Sequence, residues 1–291
     1  MNKMSLSVAD SALVQENSAS RPATPDILQV ENLRKSRTRE INGAKEGFLV
    51  LDDISFRINE GEFVTILGPS GCGKSTLLNI LAGMESYDRG RVTVRGERVT
   101  SSGGGALIIF QEDALFPWLT VAENVAFGLR SRGVERADRA RIAREYIDMV
   151  QLGQFADSYM HQLSGGMKQR VAIARGLALN PRVLLMDEPF GALDYRTREI
   201  LQQQIQQIHE KTRKTILFVT HDVREAVCLG DRVLLLSRIP AHVKHEYQVR
   251  LPRPRSAEDP TLHSMVKEIV SELKKEVAYS DAPGEQIEGP E

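Results

Sequence analysis

Residues 63–76 read Phe63-Val64-Thr65-Ile66-Leu67-Gly68-Pro69-Ser70-Gly71-Cys72-Gly73-Lys74-Ser75-Thr76. The first five residues have the near-continuous apolar character of a strand buried on both faces. Gly68 to Ser75 then match the pattern Gly, four residues, Gly-Lys-Ser, and a helical stretch, Lys74–Ala82, follows. Glycines let the backbone curl so that several N–H groups converge on one phosphate, and the helix behind adds the positive end of its dipole. Gly68, Pro69, Ser70, Gly71, Cys72, Gly73, Lys74, Ser75 and Thr76 are therefore candidate nucleotide-binding residues. Lys74 is expected to reach the β and γ phosphates, and the Ser75 hydroxyl to ligate Mg²⁺. Cys72 suits the loop by its small size. Redox chemistry is not expected of it, although a helix N-terminus can lower a thiol pKa, and a bulky thiol reagent on Cys72 is expected to block ATP binding.

Outward from this loop the same alternation recurs. Apolar strands are expected at Ala106–Phe110, Val183–Met186, Thr215–Thr220 and Arg232–Ser237, and helices at Met167–Leu179, Arg196–Lys211 and Val223–Leu229. This is the pattern of an α/β domain with a mostly parallel sheet. Ahead of it, Ile27–Leu33 and Leu49–Ile58 alternate like half-buried strands. Between Gln111 and Ser164 no apolar strand appears. Val121–Ser131 and Arg136–Val150 have helical spacing, which marks a helical insertion over about 112–165. Residues 1–25 are polar and rich in Ser, Ala and Pro, and read as a disordered lead-in to a domain spanning 26–251. In 252–291 a Pro-rich turn leads to one amphipathic helix, about Asp259–Val277, and a loose tail.

Composition limits the function. The chain has 291 residues, of which 41% are hydrophobic and 26% charged, with a net charge of −1. A nucleic-acid binder would usually be basic, so none is expected as partner. Two cysteines, Cys72 and Cys228, are too few for a disulfide framework and point to a reducing compartment. No apolar run approaches the roughly 18–20 residues that cross a bilayer, so any membrane link is expected to pass through a partner.

Val183-Leu184-Leu185-Met186-Asp187-Glu188-Pro189 reads as a buried strand ending in two carboxylates. Ligands of parallel sheets sit at the C-terminal ends of strands. Asp187 is placed to hold Mg²⁺, and Glu188 to polarise an attacking water. A second helix N-terminus suited to an anion follows Leu163-Ser164-Gly165-Gly166-Met167, with Ser164 as N-cap and two glycines exposing N–H groups. On its own, Ser-Gly-Gly before a helix is usually only a cap.

Leu163–Gly166 with Lys168-Gln169-Arg170, the phosphate loop and the Asp187-Glu188 pair together resemble the ABC ATPase family over roughly residues 27–250. The resemblance implies an antiparallel N-terminal β subdomain and a helical subdomain on a P-loop ATPase core. It implies ATP and Mg²⁺ as cofactors, and two ATP molecules sandwiched head to tail between two copies, or a copy and a paralogous ATPase. Ser164, Gly165 and Gly166 then act in trans on nucleotide held by the partner. Met167 stands where glutamine is most common in the family. Gln111 is similar to the residue that senses Mg²⁺ and the membrane partner, Gly191-Ala192-Leu193-Asp194 to the loop that communicates across the dimer, and His221 to the histidine that contacts the γ-phosphate. The catalytic set implied is Glu188, Lys74, His221 and Gln111, and the metal set Ser75, Gln111 and Asp187. The family stacks an aromatic on adenine. Here Phe48 is the nearest candidate, and it is equally readable as core.

Gln111–Val121, with Phe116, Pro117 and the only Trp, resembles the subgroup of importers for nitrate, sulfonates and taurine. That implies an ATPase peripheral to the cytoplasmic face of the inner membrane, serving separate permease subunits and, through them, a periplasmic or lipoprotein solute-binding protein. The alternatives are the ATPase of an exporter, whose nucleotide site would be identical, a soluble ABC protein, and a P-loop kinase. A kinase would not explain Leu163–Gly166 and Gly191–Asp194 together.

Overall fold

A hairpin of β1 (Asp26–Ile41) and β2 (Ala44–Asn59) leads into β3 (Phe63–Leu67), the phosphate loop and α1 (Lys74–Leu81). β4 (Arg89–Val94), β5 (Glu97–Arg98) and β6 (Ala106–Ile109) come next. The helical insertion holds α2 (Val121–Ser131) and α3 (Arg136–Met149), and α4 (Gly165–Ala178) returns to the sheet. The chain closes with β7 (Val183–Asp187), α5 (Tyr195–Thr212), β8 (Thr215–Thr220), α6 (Val223–Leu229), β9 (Arg232–Leu236), β10 (Val243–Gln248) and α7 (His263–Ala278). The computed structural model describes residues 26–41, 44–100, 105–110 and 114–278. The lead-in 1–25 and the tail beyond 278, both read from composition above, lie outside the described residues.

Two sheets result. One is antiparallel, in the order β2-β1-β4-β5; the other runs β10-β9-β3-β8-β7-β6, parallel except for β10 at its edge. The parallel strands are apolar on both faces because both faces are covered. Val64, Ile66, Leu185, Val219 and Leu234 pack towards α1 and the antiparallel sheet. Phe63, Leu184, Met186, Ile216 and Phe218 pack with α4, α5 and the helical insertion. Register then places the site. Leu67 pairs with Thr220 and Asp187 with Val219, so the segments leaving β3, β7 and β8 emerge side by side at one edge.

The structure extends the expected first two strands. They continue past Leu33 and begin before Leu49, so that Arg37 faces Phe48 and Arg39 faces Glu46 in a long exposed hairpin. Polar arms of this kind carry no apolar alternation to read. The α2 start matches expectation because Thr120 and Glu123 form a reciprocal capping box. The C-terminal helix begins at His263 rather than Asp259. Asp259 caps a preceding 3₁₀ turn, Pro260–Leu262, by accepting from the Thr261 N–H.

The strap between β10 and α7 is pinned by arginines. Arg255 is 4% exposed, and its guanidinium donates to the carbonyls of Val227, Gly230 and Leu251. It thereby serves carbonyls at the end of α6 that have no intrahelical donor. Gln206 of α5 completes the clasp, accepting from the Arg255 N–H at 2.7 Å and donating to its carbonyl at 2.8 Å.

Candidate active site

The loop after β3 bends at Gly71 and Gly73, with φ of 75° and 102°. Gly73 has a second constraint. A β-carbon there would stand 3.0 Å from both Val50 and Leu51, the β2 residues that back the loop. Gly73 is also the N-cap of α1, so no side chain competes for the first-turn N–H groups. They remain available to an anion. Lys74 is 6% exposed; its Nζ donates to the Gly68 and Pro69 carbonyls at 3.0 and 2.9 Å and lies 4.0 Å from Glu188 Oε1.

Asp187 closes β7 beside Ser75, whose hydroxyl hydrogen-bonds its carboxylate. Burial holds the Asp187 carboxyl above the usual range, opposed by the Ser75 hydrogen bond and by Lys74. Two adjacent oxygen donors beside a phosphate loop suit Mg²⁺, which binds through one or two protein oxygens, substrate phosphates and retained waters. Glu188 has a left-handed backbone, φ 43°, rare for a non-glycine residue. Its N–H donates to the Val219 carbonyl at 3.0 Å, which fixes the turn against β8. Its Oε2 lies 2.9 Å from His221 Nδ1. Strain of this kind is held by surrounding contacts and clusters at functional sites.

Lys74, Ser75, Asp187, Glu188 and His221 thus meet at one sheet edge. Ser164 and Gly165 stand elsewhere, exposed at the start of α4. The Ser164 hydroxyl accepts from the Met167 N–H at 3.3 Å. Gly166 is required for packing: a β-carbon would fall 2.3 Å from Thr197 Cγ2 on α5. Asp194, the last residue of the Gly191–Asp194 loop, N-caps α5 through the Thr197 N–H at 3.0 Å, and its hydrogen bonds to Thr197 lower its pKa. Phe48 is half-buried against the core beneath the antiparallel sheet, with the Arg39 guanidinium 5.5 Å from its ring centre. Gln111 lies outside the described residues.

Cys72 sits covered within the loop. The thiol is 2% exposed, and burial pushes its pKa up despite Lys74 nearby, so the helix N-terminus does not make it a reactive thiolate. Sequence reasoning found Phe116 and Trp118 but missed their setting. Phe127 packs on Phe116 at 4.3 Å, Trp118 is 70% exposed, and Arg130, Arg136 and Arg139 line the same groove. The helical spacing of Phe127 and Arg130 was the available signal.

The sequence profile described as ABC transporter matches residues 51–191. An uncharacterised ABC transporter ATP-binding protein of Methanocaldococcus jannaschii is 46% identical over 253 residues, covering 87% of this chain and 93% of that protein. The bicarbonate transport ATP-binding protein CmpC of Synechococcus elongatus is 45% identical over 86% of this chain, which spans only 38% of that longer protein. The aliphatic sulfonates import ATP-binding protein SsuB of Bacillus cereus is 43% identical over 77% of this chain and 88% of its own length. Among solved structures, a dimeric ATP-binding cassette in a post-hydrolysis state with ADP and Pi superposes with a TM-score of 0.65 at 34% identity, covering 77% of this chain and all of that one. With a phosphate loop, a half-buried carboxylate pair and a histidine at one sheet edge, and relatives of this identity along nearly its whole folded length, the chain belongs to the ATP-binding subunits of ABC transporters, ATPases coupled to transport.

Proposed function

We propose that this chain is the ATPase of an importer for a small solute of the nitrate, sulfonate, taurine or bicarbonate kind. The observation that carries the catalytic part is the grip on one carboxylate: Glu188 lies between Lys74 at 4.0 Å and His221 at 2.9 Å. The names of the sulfonate-import and bicarbonate-transport relatives support the direction and the class of solute.

The residues divide the work by chemistry. N–H groups of Gly71, Gly73 and the first turn of α1 hold the phosphates, and Lys74 neutralises charge on the γ-phosphate. Ser75 and Asp187 would supply oxygens for Mg²⁺, whose charge would offset that of the phosphates. Glu188 accepts hydrogen bonding from the attacking water and orients it. His221 holds that carboxylate and reaches the γ-phosphate. Ser164, Gly165 and Gly166 serve nucleotide bound to a second copy or a paralogous ATPase, so that two nucleotides lie between two chains. Phe48 is the candidate for the adenine face, and Gln111 for sensing metal and permease.

No helix among the described residues is long and apolar enough to cross a membrane. The chain acts at the cytoplasmic face through permease subunits, which dock at the exposed Trp118 and Phe127 groove, and an external solute-binding protein delivers the cargo. Reconstitution with its permeases tests this reading. Solute accumulation on the ATP side, dependent on the binding protein and abolished by Glu188→Gln, is expected of this importer; accumulation on the side opposite ATP, independent of a binding protein, is expected of an exporter. Transport away from the ATP side therefore removes the importer assignment.

A further inference from the structure

Glu225 is a buried carboxylate that the chemistry above does not use. It sits in the first turn of α6, 4% exposed, and burial raises its pKa. An ionisable group in such a place costs folding free energy unless it is hydrogen-bonded. Both its oxygens are engaged. One accepts from the Thr220 hydroxyl and the other from Gln202 Nε2 at 3.0 Å. The same Thr220 hydroxyl accepts from the Asp222 N–H at 3.0 Å. The hydroxyl therefore spans the two neighbours of His221, and Glu225 holds the hydroxyl.

The second half of the arrangement lies on α5. Gln202 belongs to that helix, as does Arg198 one turn earlier. Arg198 Nη1 is 3.8 Å from Asp222 Oδ2, and its Nη2 donates to the Leu193 carbonyl at 3.2 Å. The start of α5 is capped by Asp194 and packs on Gly166 through Thr197. One helix thus touches the turn that carries His221, the Gly191–Asp194 loop and the glycine segment before α4.

We propose that Glu225 is a positioning residue for ATP hydrolysis: by holding Thr220 it fixes the ring of His221 against Glu188, and through Gln202 it hangs that turn on α5. A change in the setting of α5, whose first turn meets the interface loops, then alters the His221–Glu188 contact directly. The inference rests on the reading of His221 as a partner of Glu188 in hydrolysis.

Steady-state ATP hydrolysis by the full chain tests it, in a set of variants built in both the wild-type and the His221→Ala background. Removing a group that acts through another should cost nothing further once the other is gone. Glu225→Ala is expected to lower kcat about 10- to 100-fold with the KM for ATP within about 3-fold, the size of loss that misplacement by an ångström brings. Thr220→Val, of nearly the same shape, should reproduce it. Glu225→Gln should recover to within about 3-fold, because its amide oxygen still accepts from Thr220 and Gln202 can turn its own amide to match. In the His221→Ala background, Glu225→Ala should change kcat by less than about 2-fold. Equal losses in both backgrounds, full activity in Glu225→Ala or Thr220→Val, or no recovery in Glu225→Gln each overturn the proposal while leaving the site reading intact. If Glu225→Ala does not fold, Thr220→Val carries the same comparison. Full activity in His221→Ala alone overturns the site reading and the proposal with it.

Discussion

The carboxylate of Glu188 is held from two sides: Oε2 faces His221 Nδ1 at 2.9 Å and Oε1 faces Lys74 Nζ at 4.0 Å. Three loops from three parallel strands bring these groups together, and each strand end is fixed by register to its neighbour. The geometry defines a carboxylate kept in one orientation by opposite charge and a ring nitrogen, beside a loop built to take phosphate.

Glu188→Gln keeps the size and one acceptor oxygen but loses the carboxylate proposed as the base. ATP binding should persist, and an ATP-dependent dimer should appear by light scattering, since hydrolysis no longer ends that state. Phosphate release should fall about 100- to 10,000-fold, the range contributed by general-base catalysis. A variant turning over at the native rate would place the base elsewhere.

Asp187 is a half-buried carboxylate hydrogen-bonded to Ser75 of the phosphate loop, with its pKa raised by burial. Without a cation its charge would repel the nucleotide; with Mg²⁺ bound, Asp187 and Ser75 would each supply a ligand oxygen. Asp187→Asn should therefore have opposite effects in two buffers. With Mg²⁺, ATP should bind about 10-fold more weakly, and in EDTA more tightly than wild type. Calorimetric titration in both buffers measures the crossing, and equal shifts of the same sign would exclude Asp187 from the metal site.

His209 gives a pH dependence of stability. It is 1% exposed, its Nε2 meets the Gly61 carbonyl at 3.0 Å, and its pKa is lowered from 6.5 to about 4 by burial and then by the nearby Arg253. Between those values the unfolded chain binds the proton and the folded chain does not, so stability rises with pH in that window. The contribution is fully present above pH 6.5 and is lost as pH falls towards 4. A depression of this size corresponds to about 3 kcal/mol. Urea unfolding at a series of pH values should show the slope, and His209→Gln should flatten it.

Cys72 should be slow to label. In native protein at pH 7, maleimide or a disulfide reagent should modify Cys72 far more slowly than an exposed thiol, because the group is covered and kept protonated. A β-carbon at Gly68 would lie 2.8 Å from Cys72 Sγ, so adduct formation has to open the loop. The modified protein should lose ATP binding. Rapid labelling with nucleotide affinity retained would contradict both points.

Much of this was legible in the residues themselves. β3, β8, α2 and α6 fall where apolar runs, Gly-Lys and cap residues put them, because each is specified locally. β4, β5 and β10 were not found. Val243-Lys244-His245-Glu246-Tyr247-Gln248 is a polar edge strand whose Lys244 pairs with Glu276 on α7 and whose Glu246 pairs with Arg232, so its extended form comes from pairing with β9. The sequence marked Glu188 and His221 as separate strand-end residues; their 2.9 Å contact needed the register of β7 against β8. The small size of Cys72 was legible in sequence, while its covering by the surrounding chain was not. Glu225 carried no signal beyond an acid in a first helical turn, a position normally satisfied by the dipole alone.

The contact between Gly166 and Thr197 has a genetic consequence. An alanine at 166 would push its methyl group to 2.3 Å from Thr197 Cγ2, and Thr197 is held in place by Asp194. The two positions therefore have to vary together. In a selection for restored growth on the transported solute, revertants of Gly166→Ala should recover bulk-reducing changes at 197, serine or alanine, before changes in the phosphate loop. The residue tolerated at 166 is then set by the neighbouring α5 as well as by what the α4 start binds.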